Sequence, residues 1–272
     1  MSYRYLLVEA GGTSTSWAYL GHTKKSKYKT RGFNVTRDGH GHLKQLIKEL
    51  PINNVEHIFF YVAGLKCEEQ TCRIKTILKN IFPEADKITV NSDVLGAARG
   101  VFNSGFGYLG ILGTGSGLHY YDGRSVTSVV PSLGYLLGDE GSGAYIGKQL
   151  LKKYYRGEFS KENQKLLDTI VPRGYLRSLY QKPSSSDYAI AAKWLAVYKS
   201  NHEFKQLIIE AFHEYFKVFG TPKIKRMSFI GSIAFHFQEE LYQVAQSHEI
   251  ICADIVQDPL DLLIKYHDNQ LK

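Results

Sequence analysis

The alternation of apolar and polar positions predicts a strand–turn–strand unit that occurs twice in the chain. An apolar strand at residues 6–10 is followed by the first glycine turn, residues 11–15, and by a second strand at 17–20. The same order recurs at 110–112, where the second glycine turn, residues 113–117, precedes a strand at 118–121. The repetition predicts a duplicated unit.

The rest of the chain predicts strands and helices in alternation, which is typical of an α/β fold with mixed sheets. The first half adds a strand ending near 31, helices at 43–50, 68–82 and 93–101, and strands at 58–63 and 88–90. The second half adds strands at 126–130, 227–230 and 250–255, a largely helical stretch over 142–219 that includes a helix at 188–198, a helix ending near 247, and a last helix after Pro259. We expect one domain over 1–105, joined by the last helix (258–272), and a second over 106–257.

The composition predicts a sizeable core, in one large domain or two modest ones. The chain has 272 residues, of which 43% are hydrophobic, and no run approaches the ~18 apolar residues of a membrane span. Glu9 occurs too early for a signal peptide, so residues 1–9 are expected to lead into the first strand. Three cysteines, with neither C-x-x-C spacing nor a matching histidine pair, predict reduced cytoplasmic thiols rather than metal ligands.

The charge is basic, +8 with a pI near 9.1, but the lysines and arginines are scattered. The densest cluster, residues 24–29, is interpreted as the solvated face of a hairpin, so neither nucleic acid nor membrane is expected as a partner. An anionic nucleotide substrate would suit a basic protein. The ten histidines are dispersed and are expected at the surface or behind ligand-binding residues.

The two glycine turns are the strongest candidate for chemistry. Glycine lets a backbone approach a ligand closely, and backbone N–H groups with Thr and Ser hydroxyls can bind an anion. Two such turns facing each other would bind a polyphosphate, which predicts a nucleotide-dependent phosphotransferase. A single glycine-rich hairpin is more often only a turn, and the repetition favours the ligand site. The chain lacks G-x-x-x-x-G-K-[ST], and residues 113–117 lack the G-x-G-x-x-G spacing of a dinucleotide-binding turn.

Three further segments each allow a structural and a functional interpretation. Residues 91–93, Asn-Ser-Asp, are either a helix N-cap or a ligand site at a strand end. The acids of Gly-Asp-Glu-Gly-Ser-Gly, 138–143, either favour the following helix dipole or bind a ligand, and the three glycines favour the ligand. Residues 229–234 form either a tight strand-to-helix turn or a support for a base or ribose.

Taken in order, residues 9–15, 91–93, 112–116, 137–143 and 230–232 resemble the N-acetylglucosamine kinase and BadF/BadG/BcrA/BcrD-type ATPase family. This family belongs to the actin/Hsp70/sugar-kinase fold. The resemblance covers nearly the whole chain, which is similar to the short bacterial members. It implies two ribonuclease-H-like domains with a cleft between them, an ATP-dependent kinase of a small sugar, and a homodimer.

The resemblance also implies roles for individual residues. ATP with Mg²⁺ would lie between the glycine turns, Glu9 would hold Mg²⁺ through water, and Asp93 would be the general base at the sugar 6-hydroxyl. The implied nucleotide-binding residues, with adenosine near the last two, are Gly11, Gly12, Thr13, Ser14, Thr15, Gly113, Thr114, Gly115, Gly231 and Ser232. The implied substrate-binding residues are Asn34, Asp93, Ser116, Gly134 and Asp139.

Two positions depart from the family pattern. Glu9 stands where the family usually has Asp, which moves the carboxylate one methylene further out, and Ser14 stands where Lys or Arg is frequent. Both bear on catalytic efficiency and not on the fold. The leading hypothesis is an ATP-dependent kinase of an amino sugar, N-acetylglucosamine first. The alternatives are an activator-type ATPase that uses an Fe–S cluster and a nucleotide-binding regulator without turnover.

Overall fold

The computed structural model describes residues 4–21, 25–181, 183–221 and 223–271. The chain divides into two compact units. The first comprises the residues up to Phe106, the segment Tyr121–Val126 and the residues from Pro259 onward, and the second comprises Gly107–Tyr120 and Thr127–Asp258.

The first unit is a five-stranded mixed sheet with helices on both faces. Its elements are β1 (Tyr5–Ala10), β2 (Ser14–Leu20), β3 (Lys25–Arg31), α1 (His40–Lys48), β4 (His57–Val62), α2 (Glu68–Ile81), β5 (Lys87–Ser92), α3 (Asp93–Phe102) and, from the end of the chain, α12 (Leu260–Gln270). The strand order is β3-β2-β1-β4-β5. β1 runs antiparallel to β2 and parallel to β4, and β4 runs parallel to β5.

Alternation along β1 sends side chains to two cores. Leu6 and Val8 pack with residues of α1 and α2 on one face, whereas Tyr5 and Leu7 pack with Leu263 of α12 on the other. A strand buried on both faces is typical of the middle of an α/β sheet. This arrangement fixes the carboxyl ends of β1, β4 and β5 at one edge.

The second unit contains another five-stranded sheet. Its elements are β6 (Gly107–Leu112), β7 (Ser116–Tyr121), β8 (Val126–Ser128), α4 (Gly134–Leu137), α5 (Gly143–Arg156), α6 (Lys161–Ile170), α7 (Tyr175–Leu179), α8 (Ser185–Val197), α9 (His202–Phe219), β9 (Arg226–Ile230), α10 (Ser232–His236), α11 (Gln238–Ser247) and β10 (Ile251–Val256). The strand order is β10-β9-β6-β7-β8. Read from the β8 edge and numbered within the unit, this order is third, second, first, fourth, fifth, which is also the order of the first sheet. The predicted α/β fold with mixed sheets is confirmed, and the shared order supports a duplicated unit.

Helix α9 supplies much of the second core. Its buried residues recur every three or four positions, which is the period of one helical face; they are Phe204, Leu207, Ile208, Ala211, Phe212, Tyr215, Phe216 and Phe219. The hydroxyl of Tyr215 donates to the carbonyl of Gly117 at 3.1 Å, so this helix also braces the second glycine turn.

Several element boundaries differ from the sequence prediction. α8 begins at Ser185 instead of 188, because Ser184 and Asp187 form a capping box in which the Asp187 carboxylate accepts from the Ser184 backbone N–H at 2.7 Å. β8 ends at Ser128 instead of 130, where the Ser128 hydroxyl bonds the Val130 carbonyl at 2.7 Å. α1 begins at residue 40, three residues before the predicted start. The glycines at 39 and 41 weaken the helical pattern of the sequence, so the prediction placed the start too late.

The expectation that the histidines lie at the surface or behind ligand-binding residues is wrong for His267. This side chain is 4% exposed, stacks on Phe59 with 3.8 Å between ring centroids, and contacts the Tyr61 hydroxyl at 2.9 Å. Burial, followed by the charges of Arg99 and Lys87, lowers the pKa of His267 to about 3. His267 is therefore a neutral core residue.

The basic segment lies in β3, at one edge of the first sheet. Lys25, Lys27 and Lys29 are exposed while the residues between them are half-buried, and Lys27 forms an ion pair with Asp261. Lys24 lies outside the described residues. In the part of the chain that the structure describes, no helix has the length and apolar character needed to cross a bilayer.

Candidate functional site

The first glycine turn joins β1 to β2 and is closed on one side only. Gly11 donates to the Ser14 carbonyl at 3.0 Å, and Gly32 donates to the Thr13 carbonyl at 3.0 Å. A Cβ on Gly32 would lie 2.6 Å from the Gly11 carbonyl oxygen, whereas a Cβ on Gly12 would meet nothing within 4 Å. Gly32 therefore packs against one side of the turn, and the side at the Gly12 Cβ position is open to a ligand.

Asp93 follows directly after the last residue of β5. Ala10, Val62 and Ser92 are partners in register across β1, β4 and β5, so Asp93 begins α3 two strands away from the first glycine turn. With about 4.8 Å between neighbouring strands, the separation is about 10 Å, which an ATP-sized ligand spans.

The structure separates the two interpretations of residues 91–93. The N-cap of α3 is Ser92, whose hydroxyl accepts from the Leu95 N–H at 3.2 Å. Asp93 is half-buried and its carboxylate accepts from the Val94 N–H at 2.9 Å. Burial raises the pKa of Asp93 to about 6, against the lowering effect of backbone hydrogen bonds. The cap does not need this carboxyl, and its pKa suits a general base near neutral pH.

Glu9 lies at the end of β1 with its carboxylate beside the first glycine turn. A Cβ on Gly11 would be 3.7 Å from Glu9 Oε1. Mg²⁺ in nucleotide sites is usually bound by one or two carboxylates together with substrate phosphates. Among the described residues no group of three or more His, Cys, Asp or Glu side chains could hold a metal alone. If the first glycine turn binds phosphate, the single carboxylate of Glu9 beside it fits a Mg²⁺ ion delivered with the phosphate.

Asn34 lies next to these strand ends but is engaged in its own turn. It forms a bridge with Ala63, just after β4, and its Oδ1 accepts from the Thr36 N–H at 2.9 Å and the Thr36 hydroxyl at 2.7 Å. A Cβ on Gly64, whose φ is +78°, would lie 2.4 Å from Asn34 Oδ1. The side chain is thus fixed by its carbonyl end, which leaves the amide end as the group that could meet a substrate.

The second glycine turn, between β6 and β7, is held by the start of α5. Gly143 donates to the Gly113 carbonyl at 2.8 Å, and Ala144 donates to the Thr114 carbonyl at 3.1 Å. Gly231, with φ +124°, packs so closely that a Cβ would lie 2.3 Å from the Leu112 carbonyl oxygen. Three motifs that are far apart in sequence, at 113–117, 138–143 and 230–232, therefore meet in the second unit.

Asp139 lies against the second glycine turn. Its side chain is 9% exposed, and a Cβ on Gly115 would lie 3.0 Å from Asp139 Oδ2. Burial raises the pKa of Asp139, while the Ser116 backbone N–H that donates to the carboxylate acts against this. The N-cap of α5 is Ser142, whose hydroxyl accepts from the Tyr145 N–H at 3.1 Å. Capping is therefore not the role of Asp139.

Each glycine turn carries one buried hydroxyl that lacks a hydrogen-bond partner among the described residues, Thr15 Oγ1 in the first and Ser116 Oγ in the second. Most buried polar atoms are paired. Thr15 is 0% exposed, so its hydroxyl gives no support for a ligand. The Ser116 hydroxyl lies on the turn that Asp139 contacts and whose Gly113 Cβ position is open, and it supports a polar ligand at the second glycine turn.

The remaining predicted site residues, Gly134 and Ser232, lie outside the two glycine turns. Gly134, with φ +67° and open space around its Cβ position, begins α4, and Ser232 is exposed at the first residue of α10.

Two residues near the turns were not predicted from the sequence. Arg37 contacts the carbonyl of Gly12 at 2.9 Å. Lys148 of α5 donates to the Tyr135 carbonyl, lies over the Tyr188 ring at 5.7 Å, and its charge acts on Asp139. Lys148 could have been found from its position, because helical side chains lean toward the N-terminus of their helix. Arg37 has no periodicity that marks it.

Comparison with solved structures identifies similar folds over the whole chain. A candidate N-acetylglucosamine kinase from Porphyromonas gingivalis is 27% identical with a TM-score of 0.89, over 98% of this chain and 100% of that one. A candidate N-acetylglucosamine kinase from Chromobacterium violaceum is 15% identical with a TM-score of 0.76, over 97% and 98%. A ROK-family glucokinase from Streptomyces griseus, in complex with glucose and AMPPNP, is 13% identical with a TM-score of 0.60, over 98% of each chain. No protein-family model and no curated protein matches significantly.

The two mixed sheets and these neighbours define the class: the protein has the actin/Hsp70/sugar-kinase fold. Within this class the chain is similar over nearly its whole length to a candidate N-acetylglucosamine kinase, which confirms the resemblance found in the sequence.

Proposed function

We propose that the protein is an ATP-dependent kinase that phosphorylates a hydroxyl group of an amino sugar, with N-acetylglucosamine as the first candidate. The observation that carries the proposal is Asp93, a half-buried carboxyl at a strand end near a glycine turn, whose pKa is raised to about 6. Such a group is mostly ionised at neutral pH and can still accept a proton from an attacking hydroxyl.

Phosphoryl transfer depends on positioning and on charge stabilisation more than on covalent chemistry. In the proposed reaction Gly12, Thr13 and Thr114 bind phosphate oxygens through the backbone and hydroxyl groups of the two glycine turns. Asp93 accepts the proton of the sugar hydroxyl as the oxygen of that hydroxyl bonds to the γ-phosphorus and the bond to ADP breaks. Glu9 would hold Mg²⁺ through water, and the metal would supply positive charge to the phosphates.

Asp139 and Asn34 are proposed to bind the sugar. A buried carboxylate can accept hydrogen bonds from two hydroxyls, and leaving either group unpaired is costly, so such contacts give specificity. The choice of an amino sugar rests on the names of the Porphyromonas and Chromobacterium proteins. The glucokinase bound to glucose and AMPPNP supports a sugar and a nucleoside triphosphate as the pair of substrates.

The test is ADP release by the purified protein with ATP and Mg²⁺ against a panel of hexoses, hexosamines and N-acetylated hexosamines. We expect sugar-dependent release, strongest with N-acetylglucosamine. Strong ADP release with an unsubstituted hexose alone would support the kinase activity but contradict the choice of an amino sugar as substrate.

Two other results would favour a function other than a kinase. Nucleotide binding without sugar-dependent turnover would favour the regulator, which the departures at Glu9 and Ser14 bring into consideration. Sugar-independent hydrolysis by anaerobically purified protein that contains iron and absorbs visible light would favour the activator-type ATPase. Cytoplasmic location and a homodimer stay predictions, the latter to be measured by light scattering.

A further inference from the structure

The first glycine turn contains no cationic side chain of its own. Residues 11–15 are Gly-Gly-Thr-Ser-Thr, although charge-assisted hydrogen bonds are the strong contacts to phosphate. Arg37 is a cation that contacts this turn: its Nη2 donates to the Gly12 carbonyl at 2.9 Å. It does so on the residue whose Cβ position is open.

The guanidinium of Arg37 is held in a defined orientation. Its Nε donates to Asp38 Oδ1 at 2.9 Å, and its Nη2 donates to Asp38 Oδ2 at 2.8 Å. Asp38 is in turn fixed by the Asn34 N–H, which donates to Oδ2 at 2.8 Å. The loop that carries Asn34 therefore also fixes the plane of the guanidinium.

The other nitrogen of the fork remains available. Arg37 Nη1 makes no hydrogen bond to any residue in the described ranges, and the side chain is 45% exposed. A guanidinium that is anchored through two of its nitrogens and exposes the third can donate to a ligand with little loss of conformational freedom.

We propose that Arg37 binds the nucleotide phosphates at the first glycine turn through Nη1, which rests on the proposed function. Asp38 balances the charge of Arg37, so the contribution comes from directed N–H groups and not from net charge. Lysine, with one ammonium on a flexible stem, cannot hold Asp38, Gly12 and a phosphate in the same way. The competing explanation is that Arg37 only supports the turn through the Gly12 carbonyl.

The test is calorimetric titration of wild type and Arg37→Gln with adenosine, ADP and ATP, followed by steady-state kinetics. A hydrogen bond to a charged group corresponds to a loss of about 10- to 100-fold in affinity. We expect this loss for ATP and ADP, adenosine affinity within about twofold, a raised KM for ATP, and an unchanged KM for the sugar. Arg37→Lys should restore only part of the loss, and it serves as the second variant if Arg37→Gln does not fold.

Arg73→Gln is the matched control. Arg73 is an exposed arginine of the same unit that pairs with a carboxylate, Glu69, on α2, and this variant should match wild type. If wild type phosphorylates sugar, then an equal loss of affinity for adenosine and ATP in Arg37→Gln, or no loss for either, would overturn the role of Arg37 alone. A wild type that binds neither ADP nor ATP would overturn the proposed function together with it.

Discussion

Replacing Asp93 with asparagine tests the role of Asp93 as general base. The same variant tests how much stability the protein loses by burying this carboxyl. Asparagine preserves the size of the side chain and can still accept the Val94 N–H through Oδ1, so local structure should survive. It cannot accept a proton from a hydroxyl. Loss of a general base typically lowers the rate by ~10²–10⁴, and we expect kcat to fall within this range while ATP affinity stays within about twofold.

The raised pKa makes the expected effect on stability unusual. The carboxyl pKa rises from 3.8 to about 6 on folding, so the folded state disfavours the ionised form. Wild type therefore loses stability as the pH rises from 3.8 to 6, and the loss is complete above 6. The difference corresponds to at most about 3 kcal/mol, less after allowance for partial exposure. Asp93→Asn should be as stable as wild type or more stable at pH 7.5, although its kcat is lower.

Two measurements check this reasoning. The pH profile of kcat/KM for the sugar should fall about tenfold between pH 7 and pH 5 in wild type, following ionisation of a group with pKa about 6, and the residual rate of the variant should lack this limb. Urea unfolding at pH 7.5 gives the stability difference. Asp261→Asn, an exposed acid of the same unit, is the control for removing a carboxylate. Near-wild-type turnover in Asp93→Asn would refute the assignment, and a large loss of stability would refute the account of its burial.

Three further predictions follow from single side chains. Thr114→Val should raise the KM for ATP by about 10- to 100-fold, the value of a hydrogen bond to a charged group, with an unchanged melting temperature; unchanged KM and kcat would contradict the role of the second glycine turn. Asp139→Asn should raise the sugar KM and leave nucleotide affinity within about twofold in calorimetry, and asparagine is chosen because Asp139 has φ +58°, which asparagine tolerates. Loss of nucleotide affinity with sugar affinity retained would move Asp139 to the Mg²⁺ side. His267, buried as the neutral form with a pKa near 3, destabilises the fold as pH falls below its unfolded value of about 6.5, by about 2 kcal/mol at pH 5. Urea unfolding at pH 5 and 7.5 should show a smaller pH dependence for His267→Phe, and an equal dependence would contradict the burial of a neutral imidazole.

The sequence predicted those parts of the fold that depend on local period. The strands of both sheets and the long helix α2 follow apolar spacing, and the duplicated order was visible from the two glycine turns. Boundaries were less predictable where side chains compete with spacing. The capping box of Ser184 and Asp187 lengthens α8. Neither residue is apolar, so the spacing of hydrophobic residues does not predict this extension.

The candidate site was predictable where it consists of consecutive residues and not where it depends on contacts across the chain. The glycine turns, Asp93 and Asp139 stand in short motifs. Arg37 reaches Gly12 across 25 positions, and Lys148 reaches the Tyr135 carbonyl across 13. Such contacts are set by how loops fold onto a sheet edge. His267 was misjudged for the same reason, since its burial depends on α12 packing against the opposite end of the chain.

The features that oppose stability support a ligand site only where they coincide. Non-glycine residues with positive φ also occur at Asn54, Asn103 and Glu249, and Asn103 simply ends α3. Asp139 differs because the same residue combines a left-handed backbone, a buried carboxyl and contact with a turn that contains the unpaired Ser116 hydroxyl. Strained backbone, a desolvated carboxyl and an unsatisfied hydroxyl each cost free energy, and a fold without a ligand would lose nothing by removing them. Their concentration on the second glycine turn is explained if a polar ligand satisfies them together.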